Sequence, residues 1–207
     1  MGVSTEGTKH MSRVFAIVPA AGRSQRMGTP KILLDVNGQS MLSAIVESLL
    51  DSMITDVLVV TNTDMLNRLP PLPERVKVAL NHDLSTDMIG SVRCGLAAWR
   101  EQIEIHENDG FLICPADHPG ITPADFNRCI TVYQDDPTRI VIACREAKRG
   151  HPLIFPASDI PFVESTACDH GLNALPRTRT DRVRLVECAS PGITRDIDTP
   201  DDYRTAM

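Results

Sequence analysis

Between Arg23 and Lys31 the chain places three cations, a hydroxyl and a glycine, as Arg23, Ser24, Arg26, Gly28 and Lys31. Arginine forks, a lysine point charge and the N–H groups of an exposed loop together make a site for a polyanion, and glycine lets such a loop turn its backbone inward. The plain alternative is a basic surface loop. The spacing matches neither G-x-x-x-x-G-K-[ST] nor G-x-G-x-x-G, which excludes the two common phosphate loops. Much later, Asp117 follows the apolar run Phe111-Leu112-Ile113-Cys114 across Pro115 and Ala116. An aspartate delivered straight from a buried strand suits a ligand role better than a turn or N-cap role. Asp198 precedes Thr199 and Pro200, whose types fit a helix N-cap and first helical position. That cap logic accounts for Thr199, Pro200, Asp201 and Asp202 but leaves Asp198 unexplained.

The elements that must position these groups alternate along the chain. Val14–Val18 reads as a short buried strand, broken by Pro19, Ala20, Ala21 and Gly22. Residues 32–36 form an apolar segment closed by the turn Asn37-Gly38, and Ser40 caps a helix carrying Met41, Leu42, Ile45, Leu49 and Leu50 at helical spacing. Strands are expected at 57–60 and 76–80, with a short helix at 64–69 stopped by Pro70, Pro71 and Pro73. A helix over 88–102 precedes a strand at 111–114, and Thr122-Pro123 opens a helix running to about Tyr133. Further strands follow at 139–144 and 183–186. The alternation predicts an α/β fold with a Rossmann-like, mostly parallel sheet and helices on both faces. In such sheets ligands bind at the C-terminal ends of the strands, where the basic loop and Asp117 would both stand.

The segment from Pro19 to Lys31 reads P-A-A-G-x-S-x-R-M-G-x-x-K. It resembles the signature loop of the sugar-nucleotide-type nucleotidyltransferases, and most closely the MobA-like branch that cytidylylates the molybdenum cofactor. The resemblance extends to Asn81, to Ser91-Val92-Arg93-Cys94-Gly95-Leu96, to Ala116-Asp117-His118-Pro119, to Gly150-His151-Pro152 and to Asp196-Ile197-Asp198-Thr199-Pro200. It also implies a turn and strand over 149–155 and a short helix over 169–175. It implies transfer of CMP from CTP to the phosphate of a small acceptor, molybdopterin or the molybdenum cofactor, with release of pyrophosphate. Asp117 and Asp198 would hold Mg²⁺, Arg26 would grip the β,γ-phosphates and Lys31 the α-phosphate. Ala20, Ala21, Gly22, Ser24, Asn81 and Ser91 would bind the nucleotide. His118 and His151 would line the acceptor site, and a molybdenum hydroxylase would be the eventual recipient. Relatives specific for GTP tend to have A-G-G where this chain has Ala20-Ala21-Gly22, so the bulkier Ala21 points to a pyrimidine. Asp87 and Met88 depart from the glycine and small or apolar residue common in relatives. Two other readings fit the same motifs: a cytidylyltransferase acting on 2-C-methyl-D-erythritol 4-phosphate, and a non-catalytic module that binds and delivers the cofactor. The compact stretch from Asp125 to Pro176 lacks the extended arm of the former, and retention of Arg26, Lys31, Asp117 and Asp198 argues against the latter.

Composition sets outer bounds. The 207 residues carry a net charge of −6, and 42% are hydrophobic. An acidic chain is a poor nucleic-acid binder, and no apolar run approaches the ~20 residues of a membrane helix. The six cysteines form no C-x-x-C pair, and several lie in apolar runs, so reduced, buried thiols in a cytoplasmic protein are expected. Residues 1–12 are polar and read as a disordered extension. Residues 13–207 read as a single nucleotidyltransferase domain.

Overall fold

The computed structural model describes residues 12–22, 30–83, 87–197 and 199–206. The elements are β1 (Val14–Pro19), β2 (Asp35–Val36), β3 (Gln39–Ser40), α1 (Met41–Leu50), β4 (Asp56–Thr61), α2 (Thr63–Leu66), β5 (Val76–Leu80), α3 (Met88–Gln102), β6 (Gly110–Ile113), α4 (Pro123–Asp135), β7 (Ile140–Arg145), β8 (Lys148–Pro156), α5 (Ile160–Glu164), α6 (Ala174–Thr178), β9 (Val183–Glu187) and α7 (Pro200–Ala206). Seven strands form one sheet in the order β5-β4-β1-β6-β8-β7-β9. All neighbours are parallel except β8, which runs antiparallel to both β6 and β7.

The two-residue period of β1 explains why both faces must be covered. Val14, Ala16 and Val18 point to one face and join Leu42, Ile45 and Leu49 of α1 with Phe126, Ile130 and Tyr133 of α4. Phe15 and Ile17 point to the other and join Val92, Leu96 and Trp99 of α3 with Val163 of α5 and Leu175 of α6. A strand buried on both sides has no polar face to spare, which is why it reads as a continuous apolar run. Trp99 is fully buried, and its ring centroid lies 5.1 Å from that of Phe15.

The helix caps follow the sequence. The Ser40 hydroxyl accepts from the Ser43 N–H. Thr122 and Asp125 form a reciprocal capping box at the start of α4, with Pro123 at its first position. Asp125 also accepts from the Ala189 N–H at 3.2 Å, tying α4 to the chain after β9. Burial raises the Asp125 pKa, but hydrogen bonds from Ser190, Thr122 and Ala189 outweigh it and hold the carboxyl below the ordinary aspartate value. A depressed folded-state value means stability that is present above the unfolded pKa and lost as pH falls through the folded one. Asp125→Ala is therefore expected to cost about 2–3 kcal/mol at pH 7, from the lost cap and the unpaired buried donor. Urea unfolding should show the gap to wild type shrinking below about pH 4.

Three features differ from expectation. The helix expected at 169–175 falls later, at Ala174–Thr178, after a 3-10 turn at Thr166–Cys168. The helix expected at 64–69 is α2, which ends at Leu66. Strands β7 and β8 are joined by a two-residue turn in which Glu146 and Ala147 take φ of 53° and 62°. Type I′ turns need positive φ at both positions and usually recruit Asn and Gly. Here the Glu146 N–H donates to the Glu187 carboxylate at 2.7 Å, which anchors the turn to β9. All six cysteines are free thiols, and all but Cys94 are buried.

Candidate active site

The parallel core of the sheet brings the predicted residues together. Past the ends of the central strands the ladder continues: the Ala20 N–H donates to Val60 O at 2.8 Å, and the Ala116 N–H donates to Pro19 O at 3.2 Å. The loop after β1 and the loop after β6 thus leave the sheet side by side, which places Lys31 against Asp117. The Lys31 Nζ lies 2.6 Å from Asp117 Oδ2, and both side chains are more than four-fifths buried. The second carboxylate oxygen, Oδ1, is buried and makes no hydrogen bond. The Ile197 N–H donates to the Asp117 carbonyl at 3.1 Å, so the chain leading to α7 lies against the same aspartate.

A cleft of about 490 Å³ opens at this point. It is bordered by Ala20, Ala21, Gly22 and Lys31 from the first loop, by Asn81 and Ser91 around the entry to α3, and by Asp117, His118 and His151. Nine predicted site residues therefore converge on one concavity. Arg26, Ser24 and Asp198 lie outside the described residues. A Cβ built on Gly22 would meet nothing within 4 Å, so the backbone there faces open space.

The polarity of the cleft is uneven. At one end stand Lys31 and Asp117. At the other, Asp83 and Asp87 line the wall beside Asn81. Asp87 caps α3, its carboxylate accepting from the Ile89 N–H at 3.0 Å. A helix N-terminus ordinarily attracts anions. The Asp87 charge offsets that attraction, so phosphate is favoured at the Lys31 end and an uncharged group at the α3 end.

The two histidines form an edge-to-face pair with ring centroids 4.9 Å apart. His118 Nδ1 donates to the Gly192 carbonyl at 2.7 Å, since that oxygen can only accept. This leaves Nε2 turned toward Asp117 Oδ1, 3.8 Å away. Burial and the neighbouring His118 push the His151 pKa down to about 4, and its Nδ1 has no hydrogen-bond partner. His151 is neutral at physiological pH and can contribute hydrogen bonding but no charge.

Among the described residues no group of three His, Cys, Asp or Glu side chains is placed to hold a metal ion. An orphaned, buried carboxylate oxygen on Asp117 nevertheless fits a hard divalent cation that completes its shell with phosphate oxygens and water.

Asn62, Asp83 and Asp196 border the cleft and were not singled out by sequence reasoning. Asn62 is buried, and its Nδ2 donates to the Ala21 carbonyl at 2.9 Å while its Oδ1 accepts from the Met65 N–H. The signal was the Asn62-Thr63 pair, an N-cap that opens α2 directly after β4. Asp196, which borders the cleft, was passed over in favour of Asp198.

A mixed, mostly parallel sheet with this cleft at its carboxyl ends has the nucleotide-diphospho-sugar transferase fold, and the family match that follows makes the chain a nucleotidyltransferase. Residues 16–183 match the model of the MobA-like NTP transferase domain, and the chain belongs to that family. It is 25% identical over 199 residues to the purine catabolism protein PucB of Bacillus subtilis, covering 92% of this chain and 94% of PucB. It is 29% identical to a probable molybdenum cofactor guanylyltransferase of Bacillus mycoides, over 59% of this chain and 56% of that one. It is 31% identical to the 2-C-methyl-D-erythritol 4-phosphate cytidylyltransferase of Ralstonia nicotianae, over 80% of this chain and 64% of the relative. Among solved structures, Rv0371c of Mycobacterium tuberculosis superposes with a TM-score of 0.75 at 24% identity, covering 94% of this chain and 97% of that one. Its manganese complex superposes at 0.71 and 22% identity, with the same coverage of each chain. Among the described residues no helix is long and apolar enough to cross a membrane.

Proposed function

We propose that this chain transfers CMP from CTP to the phosphate of molybdopterin or a closely related small acceptor, with Mg²⁺ as its metal. The observation that carries the reading is the Lys31–Asp117 pair at the phosphate end of a cleft whose other end is acidic and polar. A resting ion pair of this kind holds the two charges that a metal–triphosphate needs, with the anionic partner for the metal and the cationic one for the phosphates.

In the proposed step an ionised phosphate oxygen of the acceptor attacks the α-phosphorus of CTP. The new P–O bond forms as the bond from the α-phosphorus to the bridging oxygen breaks, and pyrophosphate carries away that electron pair. No proton needs to be removed from the nucleophile at pH 7, so no general base is required. The barrier is positional and electrostatic, since two anions must meet in line. Lys31 is placed to meet the charge that develops on the α-phosphoryl oxygens. Arg26 is assigned to the β,γ-phosphates, where its planar fork suits the leaving group. Asp117, together with Asp198, is assigned to the divalent cation, which when bound neutralises α- and β-phosphate charge. The Ala20–Gly22 backbone, Ser24, Asn81 and Ser91 are assigned to the nucleotide, and His118 and His151 to the acceptor.

Ala21, with a methyl group where guanylyltransferases tend to have glycine, supports a pyrimidine over the larger guanine. The guanylyltransferase relative makes this choice testable. Calorimetric titration of CTP, GTP, ATP and UTP with Mg²⁺ should find CTP tightest by at least about ten-fold, roughly 1.4 kcal/mol. A preference for GTP would overturn the assignment of the base. The cytidylyltransferase relative supports a second reading, with methylerythritol phosphate as acceptor. Pyrophosphate release measured with each acceptor separates the two.

A further inference from the structure

We propose that Cys129 and Cys188 form an oxidisable dithiol that a peroxide converts to a disulfide, and that closing this bond moves His118 in the cleft.

The pair is built into the fold. The two sulfurs lie 3.9 Å apart, both side chains are buried, and the residues are 59 positions apart in sequence. Cys129 stands one helical turn after Asp125 on α4, so the two share a face. Asp125 accepts hydrogen bonds from the Ala189 N–H and from Ser190. The chain at 188–190 is thus fastened alongside the stretch of α4 that carries Cys129, and the sulfurs have only to close to the ~2.05 Å of an S–S bond. Three other thiols point at oxygen instead: Cys94 at the Leu80 carbonyl, Cys114 at the Pro115 carbonyl and Cys144 at the Glu187 carboxylate.

The two thiols are unequal. The hydrogen bond between them holds the Cys188 thiol below its ordinary value and pushes that of Cys129 up. Arg128 adds to the lowering of Cys188, while burial, Asp125 and Glu187 oppose it. Cys188 also retains 3% exposure where Cys129 retains none. A thiolate is the nucleophile in such chemistry, so Cys188 attacks and Cys129 resolves.

The Cys188 thiolate attacks one oxygen of hydrogen peroxide. An S–O bond forms, the O–O bond breaks, and the departing hydroxide takes up a proton to become water. The Cys129 sulfur then gives up its proton and attacks the Cys188 sulfenic acid. The S–S bond forms, the S–O bond breaks, and the second hydroxide leaves with that proton as water. Two thiols are oxidised, and one peroxide is reduced to two waters.

The segment that follows leads to the cleft. Four residues beyond Cys188, the Gly192 carbonyl accepts from His118 at 2.7 Å. Gly192 also meets Gly120 so closely that a Cβ on it would lie 2.5 Å from the Gly120 carbonyl carbon. Drawing Cys188 toward α4 pulls on this backbone contact, and the His118 ring follows.

The test treats the folded full chain with a few equivalents of hydrogen peroxide, alkylates the remaining thiols and analyses the unreduced digest by mass spectrometry. In most molecules a single cross-link is expected, joining Cys129 to Cys188 and cleaved by dithiothreitol. Cys129→Ser should stop at a Cys188 sulfenic acid that dimedone traps, and Cys188→Ser should leave Cys129 unoxidised. The His118 ring signal in the NMR spectrum, assigned by its loss in His118→Gln, should shift on oxidation of the wild type, return on reduction, and stay in place in Cys129→Ser. Free Cys129 and Cys188 after peroxide overturn the dithiol, as does a cross-link that joins other cysteines or forms only in urea. An unmoved His118 signal in the cross-linked protein overturns the link to the cleft. None of these readouts depends on nucleotidyl transfer.

Discussion

Asp117→Ala is expected to lower kcat about 10³-fold, a loss of roughly 4 kcal/mol of transition-state stabilisation. Lys31→Ala should fall close to it. Their ionic partnership, at 2.6 Å, pairs the two charges before substrate arrives. With metal and triphosphate bound, the two charges serve different partners in one constellation. Removing both should then cost far less than the sum of the separate losses, because residues that act as a unit are not additive. Lys31→Arg is not expected to restore the rate, since a planar fork cannot replace a compact point charge at the same reach. Thermal denaturation distinguishes chemistry from folding: both alanine variants should melt within a few degrees of wild type. Near-normal turnover in a folded Asp117→Ala protein would remove the metal assignment, and in Lys31→Ala the α-phosphate assignment.

The second large effect is structural. A Cβ on Gly150 would sit 1.8 Å from the Ile193 carbonyl oxygen and 2.6 Å from its carbon, both backbone atoms that no rotamer change can move aside. Gly150→Ala must therefore part β8 from the 3-10 turn at Pro191–Ile193. Overpacking of this severity costs about 3 kcal/mol or more. For a chain of this size that lowers Tm by about 6–12 °C. The displaced turn carries the Gly192 carbonyl that orients His118, and Gly150 adjoins His151, so both histidines should shift with it. Gly22→Ala is the useful contrast: a Cβ there meets no atom within 4 Å, and Tm should hardly change. An equal Tm for Gly150→Ala and wild type would show that the two segments are not in this contact.

What the sequence disclosed depended on how local the signal was. The first strand, the α3 boundaries and the Thr122-Pro123 start of α4 were legible because apolar period, cap and proline position agreed over a few residues. The convergence of Ala20, Lys31, Asn81, Ser91 and Asp117 followed from the rule that ligands sit at the carboxyl ends of parallel strands, once the motif order was recognised. The insertion of β8 between β6 and β7 was not legible. Its turn uses Glu146 and Ala147 in a conformation that neither advertises, and the Glu187 carboxylate that secures the turn is 41 residues away in sequence. The helix at 174–178 was misplaced for a similar reason. Asp159, fully buried, is held by Arg179 and Arg182, and that long-range clamp fixes where the chain can turn. Asn62 escaped notice because its chemistry is that of a cap, and only the fold brings its amide to the Ala21 carbonyl.

Trp99 is the only tryptophan in the chain, and it is shut into the core from the helix whose first turn borders the 490 Å³ cleft. An indole buried against aliphatic and phenyl groups, here with the Lys77 ammonium 5.0 Å over its ring, emits at shorter wavelength than one in water. The molecule thus carries an intrinsic optical gauge, free of any attached dye. The red shift and loss of that signal on denaturation would report both stability comparisons drawn above, and any change on adding nucleotide would show strain passing along α3 from the ligand to the interior.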